Sequence, residues 1–158
     1  MKIFLDGPNF DEIRKLKKVN GYTFNPSLFK KLGAKDYITF VKKIIKLTSK
    51  KDVSIEVIGD NHSECLKQAI KISKISKFIS VKIPICYSNG KSTKKLITKL
   101  VGLNIRLNLT AIFTLKQIKD ILPIIKDTKT ILSIFSGRLY DIGIDAAYEF
   151  KKISTFKS

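Results

Sequence analysis

The fold of this chain is decided by one apolar run, Phe78-Ile79-Ser80-Val81-Lys82-Ile83-Pro84, because a lysine stands near its end where a buried strand would carry only apolar side chains. Read as a strand, the run alternates, with Ile79, Val81 and Ile83 on one face and Phe78, Ser80 and Lys82 on the other. On the second face the Lys82 amine would be partly desolvated, which favours the neutral form that attacks carbonyl carbon. The alternative is a lysine at a strand end whose ammonium reaches out to water.

Strand and helix signals alternate along the chain on both sides of this run. Short apolar segments predict six strands, at about residues 2–6, 20–25, 53–58, 78–83, 105–110 and 129–135. Segments between them keep helical spacing, as in Tyr37, Phe40, Val41, Ile44 and Ile45. Strands that alternate with helices indicate parallel pairing and an α/β class, either an open doubly wound sheet or a barrel. No G-x-G-x-x-G loop follows the first strand, so a dinucleotide-binding fold is not supported.

The two faces of the predicted strands differ in polarity. One face is apolar throughout, with Ile3, Leu5, Tyr22, Phe24, Ile55, Val57, Val81, Ile83, Leu107, Leu109, Leu132 and Ile134. The other face has Phe4, Asp6, Thr23, Asn25, Ser54, Glu56, Ser80, Lys82, Arg106, Asn108, Thr110, Ile131, Ser133 and Phe135. Polar residues near the carboxyl ends of strands are typical of a barrel mouth, where enzymes of this architecture keep their active sites. We therefore predict a parallel (β/α)8 TIM-barrel type of fold, truncated to about six βα units.

Length and composition bound the class of protein. A chain of 158 residues, 44% of them apolar, predicts a single domain over residues 1–158. No run approaches the ~18 apolar residues of a membrane-spanning helix, and the first residues do not form a signal peptide, so we expect a cytoplasmic protein with no membrane partner. Cys65 and Cys86 match neither a metal-binding nor a redox spacing. No metal ion and no cofactor are expected.

The net charge of +18 raises the hypothesis of nucleic-acid binding. Only Arg14, Arg106 and Arg138 are arginines, the side chain on which readers of nucleic-acid grooves depend, and the lysines are spread along the chain. Solvated helix faces rich in lysine explain the charge better, so a nucleic-acid partner is not expected. A basic surface that binds polyanions stays open as an alternative.

The lysine and two carboxylates at the predicted mouth suit Schiff-base chemistry. The Lys82 amine would attack a ketone, a carboxylic acid would move protons as water leaves, and the iminium would accept electrons when the adjacent carbon-carbon bond breaks. The two carboxylates are Asp6 and Glu56. The alternatives are that Asp6 caps the following helix and that Glu56 merely pairs with Lys82.

Other polar residues of the predicted mouth suit a phosphorylated, polyhydroxylated substrate. Asn25, Asn108 and Thr110 could hydrogen-bond hydroxyl groups, and Arg138, just past strand six, could bind a phosphate. The alternative for Asn25, which precedes Pro26, is a turn.

Six motifs, in order along the chain, resemble those of the transaldolase family, most closely the short bacterial transaldolase-like proteins. They are Phe4-Leu5-Asp6, Thr23-Phe24-Asn25-Pro26-Ser27, Ser54-Ile55-Glu56-Val57, Val81-Lys82-Ile83-Pro84, Leu107-Asn108-Leu109-Thr110 with Phe113-Thr114, and Ser133-Ile134-Phe135-Ser136-Gly137-Arg138. The resemblance runs from residue 1 to about residue 150. It implies transfer of a dihydroxyacetone unit between sugar phosphates in the pentose phosphate pathway of carbohydrate metabolism.

The resemblance also implies a role for each matching residue. Lys82 matches the Schiff-base lysine, and Asp6 the acid/base that acts on the hydroxyl beside the breaking bond. Glu56 and Thr110 match the pair that positions a catalytic water. The substrate-binding residues are Asn25, Thr23, Asn108, Ser133, Phe135 and Arg138, of which Arg138 matches a phosphate ligand. The related fructose 6-phosphate aldolases have Gln and Tyr where this chain has Glu56 and Phe135, which favours transfer over simple aldol cleavage.

The chain departs from the family pattern in three respects. Phe24 replaces a threonine and is expected to pack under a helix, and Cys86 replaces another threonine shortly after the lysine. The chain also ends after six units, without the family's β7 and β8 and the phosphate ligands of strand seven. Two sheet edges would then be unpaired. A homo-oligomer or a partner that completes the barrel is therefore expected, and the alternatives are an aldolase-type lyase or a catalytically inactive fragment with a basic surface.

Overall fold

The computed structural model describes residues 2–16, 18–33, 35–48 and 50–151. Its strands are β1 (Phe4–Asp6), β2 (Gly21–Phe24), β3 (Asp52–Glu56), β4 (Ile79–Pro84), β5 (Leu107–Ile112) and β6 (Ile131–Ile134). Its helices are α1 (Phe10–Lys15), α2 (Pro26–Lys31), α3 (Tyr37–Leu47), α4 (His62–Ser73), α5 (Lys94–Gly102), α6 (Leu115–Ile125), α7 (Ser136–Tyr140) and α8 (Ala146–Phe150). All six predicted strands are confirmed, with ends that differ by one or two residues.

The six strands form one parallel sheet in the order in which they occur along the chain. A doubly wound sheet reverses its strand order at a switch point, whereas a barrel wall keeps it. The order from β1 to β6 without a reversal therefore decides between the two architectures. The described residues have a parallel (β/α) barrel type of fold with six of the eight strands of a closed barrel.

Side-chain hydrogen bonds across the inner face show that the sheet is curled. Asn108 of β5 donates to Ser54 of β3 over 2.9 Å, and the Arg106 guanidinium beside β5 donates to the Asp52 carboxylate of β3 over 2.8 Å. β4 lies between these two strands. In a flat sheet β3 and β5 would be roughly 9 to 10 Å apart, too far for the short side chains of Asn108 and Ser54 to meet. The inner face is therefore concave, as in a barrel lumen.

The outer face of the sheet carries most of the core, because the helices pack on it. Fully buried residues of the central strands alternate along each strand and are Val53, Ile55, Val81, Ile83, Leu107 and Leu109. Each contributes about 1.5 to 3 kcal/mol through its removal from water. Phe24 is also buried and stacks on Phe29 of α2 with ring centroids 5.2 Å apart, which confirms that it packs under a helix. Ile3 was also predicted on the apolar face, but it precedes β1 and is 49% exposed.

The helices that follow the strands begin at capping side chains near the carboxyl ends of the strands. Asn9 accepts from the backbone N–H groups of Asp11 and Glu12 at the start of α1, and Thr114 accepts from Gln117 at the start of α6. A side-chain oxygen at this position satisfies N–H groups that have no partner within the helix. These caps fix the loops around the open end of the curled sheet.

β5 contains a bulge at Thr110 and Ala111, which together stand opposite Ser133 of β6. The flanking register pairs are Leu109 with Leu132 and Ile112 with Ile134. Ala111 has a φ of 56°, in the left-handed region that disfavours any residue with a Cβ. The backbone of this strand is thus strained next to the inner face.

The bulge changes which residues face the barrel mouth. Without the extra residue, strict alternation would turn Ile112 inward and Phe113 outward. Ile112 instead lies fully buried on the outer side, and the Phe113 ring packs edge-on against Phe135 with centroids 5.5 Å apart. Two aromatic rings therefore lie together at the carboxyl ends of β5 and β6.

The sheet has two edges within the described ranges, because β1 pairs only with β2 and β6 only with β5 there. The segment after β6 exposes large apolar side chains, including Ile142 at 69% and Tyr148 at 79%. All four residues of β6 are only half-buried, in contrast to the central strands. No helix of the described part of the chain is both long and apolar enough to cross a membrane.

Candidate active site

The centre of the candidate site is an ion pair between two neighbouring strands. Lys82 of β4 and Glu56 of β3 are register partners, and both lie on the inner face near the carboxyl ends of their strands. The Lys82 Nζ lies 3.2 Å from the Glu56 Oε2, and Lys82 is only 6% exposed. The pairing of Glu56 with Lys82 is thereby confirmed, while the role of Glu56 in catalysis stays a prediction. The alternative that Lys82 reaches out to water is wrong.

Burial governs the acidity of Glu56. Removal of the carboxylate from water raises the pKa of Glu56, and the nearby negative charge of Asp6 raises it further. The positive charge and hydrogen bond of Lys82 act in the opposite direction, but they are the weaker influence. The Glu56 carboxyl group can therefore hold a proton more readily than an exposed glutamate, which suits a group that exchanges protons with a neighbouring amine.

Asp6 lies at the end of β1 beside Thr23 of β2, its register partner. The Thr23 hydroxyl donates to the Asp6 carboxylate over 2.5 Å. The alternative that Asp6 caps the following helix is wrong, because Asn9 caps α1. Asp6 is exposed at the rim, and it lies near enough to Glu56 to influence the acidity of that group. Two carboxylates and one amine thus converge at the mouth, as the sequence predicts.

A chain of hydrogen bonds crosses the lumen at the level of Ser54 and Asn108. The Asn108 side-chain NH2 donates to the Ser54 hydroxyl over 2.9 Å, and the Ser133 hydroxyl donates to the Asn108 side-chain oxygen Oδ1 over 2.7 Å. Asn108 is 2% exposed. This chain links β3, β5 and β6, and it fixes Asn108 next to Lys82, with which it pairs in register. Ser54 was identified from the sequence only as an inner residue, and its contact with Asn108 depends on the curl of the sheet.

Two buried hydroxyl groups have no hydrogen-bond partner among the described residues. They belong to Ser80, two residues before Lys82 on the same face, and to Thr110, two residues after Asn108 in β5. A buried polar group without a partner is costly in free energy and is rare in native proteins. Thr110 therefore offers a hydroxyl for a ligand or a water molecule, which fits its predicted place in the site.

Asn25 follows β2 and has a structural role as the cap of α2. Its side-chain oxygen accepts from the Leu28 backbone N–H over 2.9 Å, and Pro26 occupies the first helical position. The alternative for Asn25 was a turn before Pro26, and the structure shows an extended helix cap there instead. The cap uses the side-chain oxygen of Asn25 and not its NH2 group. The predicted contact of Asn25 with a substrate stays a prediction.

Arg138 and Phe135 lie at the end of β6, at one side of the open sheet. Phe135 contacts Phe113, and the exposed Arg138 guanidinium lies 3.5 Å from the Asp141 carboxylate. Arg138 and Asp141 are three residues apart in the chain, so this ion pair joins neighbours within one helical turn. The role of Arg138 as a phosphate ligand stays a prediction.

The described residues include no group of three His, Cys, Asp or Glu side chains placed to hold a metal ion. The polar groups at the mouth are instead an amine, two carboxylates, hydroxyls and amides. Such a set can add to a carbonyl group, exchange protons and hydrogen-bond hydroxyl groups.

Fold and site together define a parallel α/β-barrel protein with a buried lysine-carboxylate pair at the carboxyl ends of its strands. Comparison with known proteins agrees with this class. The family model described as Transaldolase/Fructose-6-phosphate aldolase matches residues 3–156. The chain belongs to this family.

Individual relatives support the same assignment. The chain is 37% identical over 148 residues to a "Probable transaldolase" of Dehalococcoides mccartyi, which covers 92% of this chain and 65% of that protein. It is 37% identical over 158 residues to one of a Thermoanaerobacter species, covering 98% and 69%, and 36% identical over 164 residues to one of Clostridioides difficile, covering 100% and 72%. The chain thus spans about two thirds of the length of these relatives.

Proposed function

We propose that the chain carries the Schiff-base site of a transaldolase-like enzyme, which transfers a dihydroxyacetone unit from a ketose phosphate to an aldose phosphate. The observation that carries this proposal is the Lys82–Glu56 pair, buried at the carboxyl ends of neighbouring strands. In a barrel of this class that end is where substrates bind. The reaction is one of the sugar-phosphate exchanges of the pentose phosphate pathway.

The first steps form the iminium. Glu56 takes a proton from the Lys82 ammonium 3.2 Å away, and the neutral amine adds to the ketone carbon of the substrate. A proton moves from nitrogen to oxygen, which gives a carbinolamine. Glu56 then returns its proton to the carbinolamine hydroxyl, which leaves as water, and the carbon-nitrogen double bond forms. The raised pKa of Glu56 suits both halves of this exchange.

The next steps move the three-carbon unit. The Asp6 carboxylate takes the proton of the hydroxyl beside the breaking bond, and the electron pair of that bond flows into the iminium to give an enamine and a free aldose phosphate. The enamine then attacks the aldehyde carbon of the acceptor, and Asp6 returns its proton to the new alkoxide. Water held at Glu56 and Thr110 hydrolyses the iminium and releases Lys82.

Closure of the barrel is part of this proposal. The free sides of β1 and β6 present rows of backbone N–H and C=O groups, and a parallel barrel closes at eight strands. Two further parallel strand-helix units between β6 and β1 would satisfy those groups. They would also cover the exposed side chains of Ile142 and Tyr148 after β6.

Borohydride trapping tests the proposed chemistry. We expect a ketose phosphate and borohydride to add a stable, substrate-derived mass to the peptide that contains Lys82. Lys82→Met should abolish the adduct, and so should Lys82→Arg, which keeps a positive charge beside Glu56 but removes the nucleophile. Substitution of the exposed Lys95 by Met is the matched control and should leave trapping unchanged.

Absence of any adduct on the folded wild-type chain would overturn the Schiff-base proposal, as would an undiminished adduct in both Lys82 variants. Cleavage of the ketose phosphate without an acceptor aldehyde would instead identify an aldolase-type lyase. Binding of polyanions that weakens steeply with salt and ignores Lys82, together with no adduct, would support the inactive basic fragment.

A further inference from the structure

Tyr37 links the outer helical layer to the backbone of the candidate site. It is the first residue of α3, which begins at the Asp36 cap. Its half-buried ring packs edge-on against Phe29 of α2 with centroids 4.8 Å apart. Its hydroxyl donates a hydrogen bond to the backbone carbonyl oxygen of Glu56. The contact therefore reaches the residue whose carboxylate pairs with Lys82.

The direction of the Glu56 carbonyl follows from the strand ladder. The Val57 N–H donates to the Lys82 carbonyl oxygen over 3.2 Å, so the backbone groups of Val57 face β4. Successive residues of a strand face opposite neighbours, so the backbone groups of Glu56 face β2. The register of β2 and β3 ends with Phe24 beside Ile55, and its continuation by one residue places Asn25 beside Glu56.

Pro26 explains why this carbonyl needs a donor from elsewhere. In a parallel ladder the carbonyl of a residue accepts from the N–H of the residue that follows its register partner. Thr23, for example, is the register partner of Asp6, and its carbonyl accepts from the Gly7 N–H. For Glu56 that residue is Pro26, which has no N–H and begins α2. The ladder thus ends one hydrogen bond early at the strand that carries Glu56. The Tyr37 hydroxyl donates to the Glu56 carbonyl in place of the N–H that Pro26 lacks.

We propose that Tyr37 is a positioning residue of the site, whose hydroxyl replaces the missing ladder donor at the Glu56 carbonyl and so holds the Glu56 carboxylate beside Lys82. The carbonyl belongs to the peptide plane directly after the Glu56 Cα. Displacement of that plane would shift the Glu56 Cα, and with it the Cβ and the carboxylate. An effect of Tyr37 on catalysis rests on the proposed function. The positioning of the Glu56 carboxylate by Tyr37 can be measured independently of that function.

Tyr37→Phe separates the hydroxyl from the ring, because the phenylalanine ring can keep the packing against Phe29. Tyr22→Phe is the control, since Tyr22 is a buried tyrosine on the outer face of the neighbouring strand β2. The first readout is the titration of the Glu56 side-chain carboxyl carbon by NMR. The charges that act on Glu56 are those of Lys82 of β4 and Asp6 of β1, and neither is changed by these substitutions. Tyr37 of α3 also faces Glu56, but burial and the Glu56 charge raise the pKa of the Tyr37 hydroxyl, so it stays neutral while Glu56 titrates.

We expect Tyr37→Phe to shift the Glu56 titration toward that of an exposed glutamate, because a carboxylate that is no longer held in place gains water, and Tyr22→Phe to leave it unchanged. The second readout is the rate of borohydride trapping at Lys82, which should fall about 2- to 10-fold in Tyr37→Phe only. An unchanged Glu56 titration in folded Tyr37→Phe overturns the inference. A shifted titration with no adduct on the wild-type chain supports the positioning role and overturns the proposed function instead.

Discussion

The Lys82 amine and the Glu56 carboxylate lie 3.2 Å apart on neighbouring strands of a concave sheet, with Lys82 almost wholly buried. A buried charge persists only when a partner offsets its loss of water, and each of these groups serves as that partner for the other. The pair therefore links the free energy of unfolding to the protonation of Lys82 and Glu56. A change in the charge of either group affects both the stability of the fold and the chemistry proposed for the site.

The first prediction concerns stability and pH. Burial raises the pKa of Glu56, so the folded chain keeps the proton to a higher pH than the unfolded chain does. The stability that this proton contributes is full below the unfolded pKa and is lost as pH rises through the folded pKa. Relative to Glu56→Gln, the wild-type free energy of unfolding should therefore fall as pH rises above about 4, where an unfolded glutamate loses its proton, and through the higher folded pKa of Glu56.

Urea unfolding of both proteins at each pH measures this difference. Glu64→Gln, at an exposed glutamate of α4, is the control and should show no comparable dependence. A wild-type stability that rises with pH relative to Glu56→Gln would mean that the attraction to Lys82 outweighs the burial of the carboxylate, contrary to our expectation.

The second prediction separates the two carboxylates. Asp6 lies at the rim and accepts from Thr23, and in the proposed reaction it moves the proton at the breaking bond. Asp6→Asn should therefore still allow borohydride trapping at Lys82 but lower the rate of transfer about 10²- to 10⁴-fold. Parallel assays of adduct formation and of product release test this. Asp11→Asn in α1 should change neither, and loss of trapping together with transfer in Asp6→Asn would show that Asp6 acts earlier.

The third prediction concerns the bulge in β5. Ala111 has a φ of 56°, which glycine adopts without a Cβ clash. Ala111→Gly should raise the free energy of unfolding by about 0.5 to 1 kcal/mol, since the relief of strain exceeds the extra entropy of glycine in the unfolded chain. Ala147→Gly, in helix α8, should instead lose about 0.5 to 1 kcal/mol. Equal losses in the two variants, measured by thermal unfolding, would contradict the strained conformation.

The fourth prediction tests closure of the barrel. A separate polypeptide with the last two strand-helix units of a transaldolase relative should co-purify with this chain, because it can pair with β6 and β1 and cover the apolar surface after β6. Ile142→Glu combined with Tyr148→Glu should abolish co-purification. Leu103→Glu, at an exposed leucine after α5, should not. Failure of the wild-type chain to bind this polypeptide would remove the closure proposal.

Much of the fold was predictable because strand and helix periodicity are local properties of the sequence. The apolar parity of Val81 and Ile83 against Ser80 and Lys82 identified the outer and inner faces, and the ion pair of Lys82 with Glu56 confirms the inner one. The bulge at Ala111 was not predictable, because alanine carries no signal for a positive φ. The extra residue is what turns Phe113 toward Phe135.

The site was predictable only as a set of residues near the ends of strands. That Asn9, and not Asp6, caps α1 depends on the exact first turn of the helix, which sequence patterns locate only to within a few residues. The Tyr37 contact was also hidden, since its spacing with Phe40 and Ile44 indicates an ordinary core position. Pro26 was the available signal, because a proline directly after a strand removes a ladder donor.

By itself the sequence determined the strands in their order along the chain and the two faces of each strand. It thereby also placed Lys82, Glu56 and Asp6 on one rim, because side-chain alternation is a local property. Only the tertiary structure decided which groups meet. Curvature brings Asn108 within hydrogen-bond reach of Ser54 across an intervening strand, and helix packing brings Tyr37 to the Glu56 carbonyl. Such contacts depend on the path of the whole sheet through space, which no local pattern specifies.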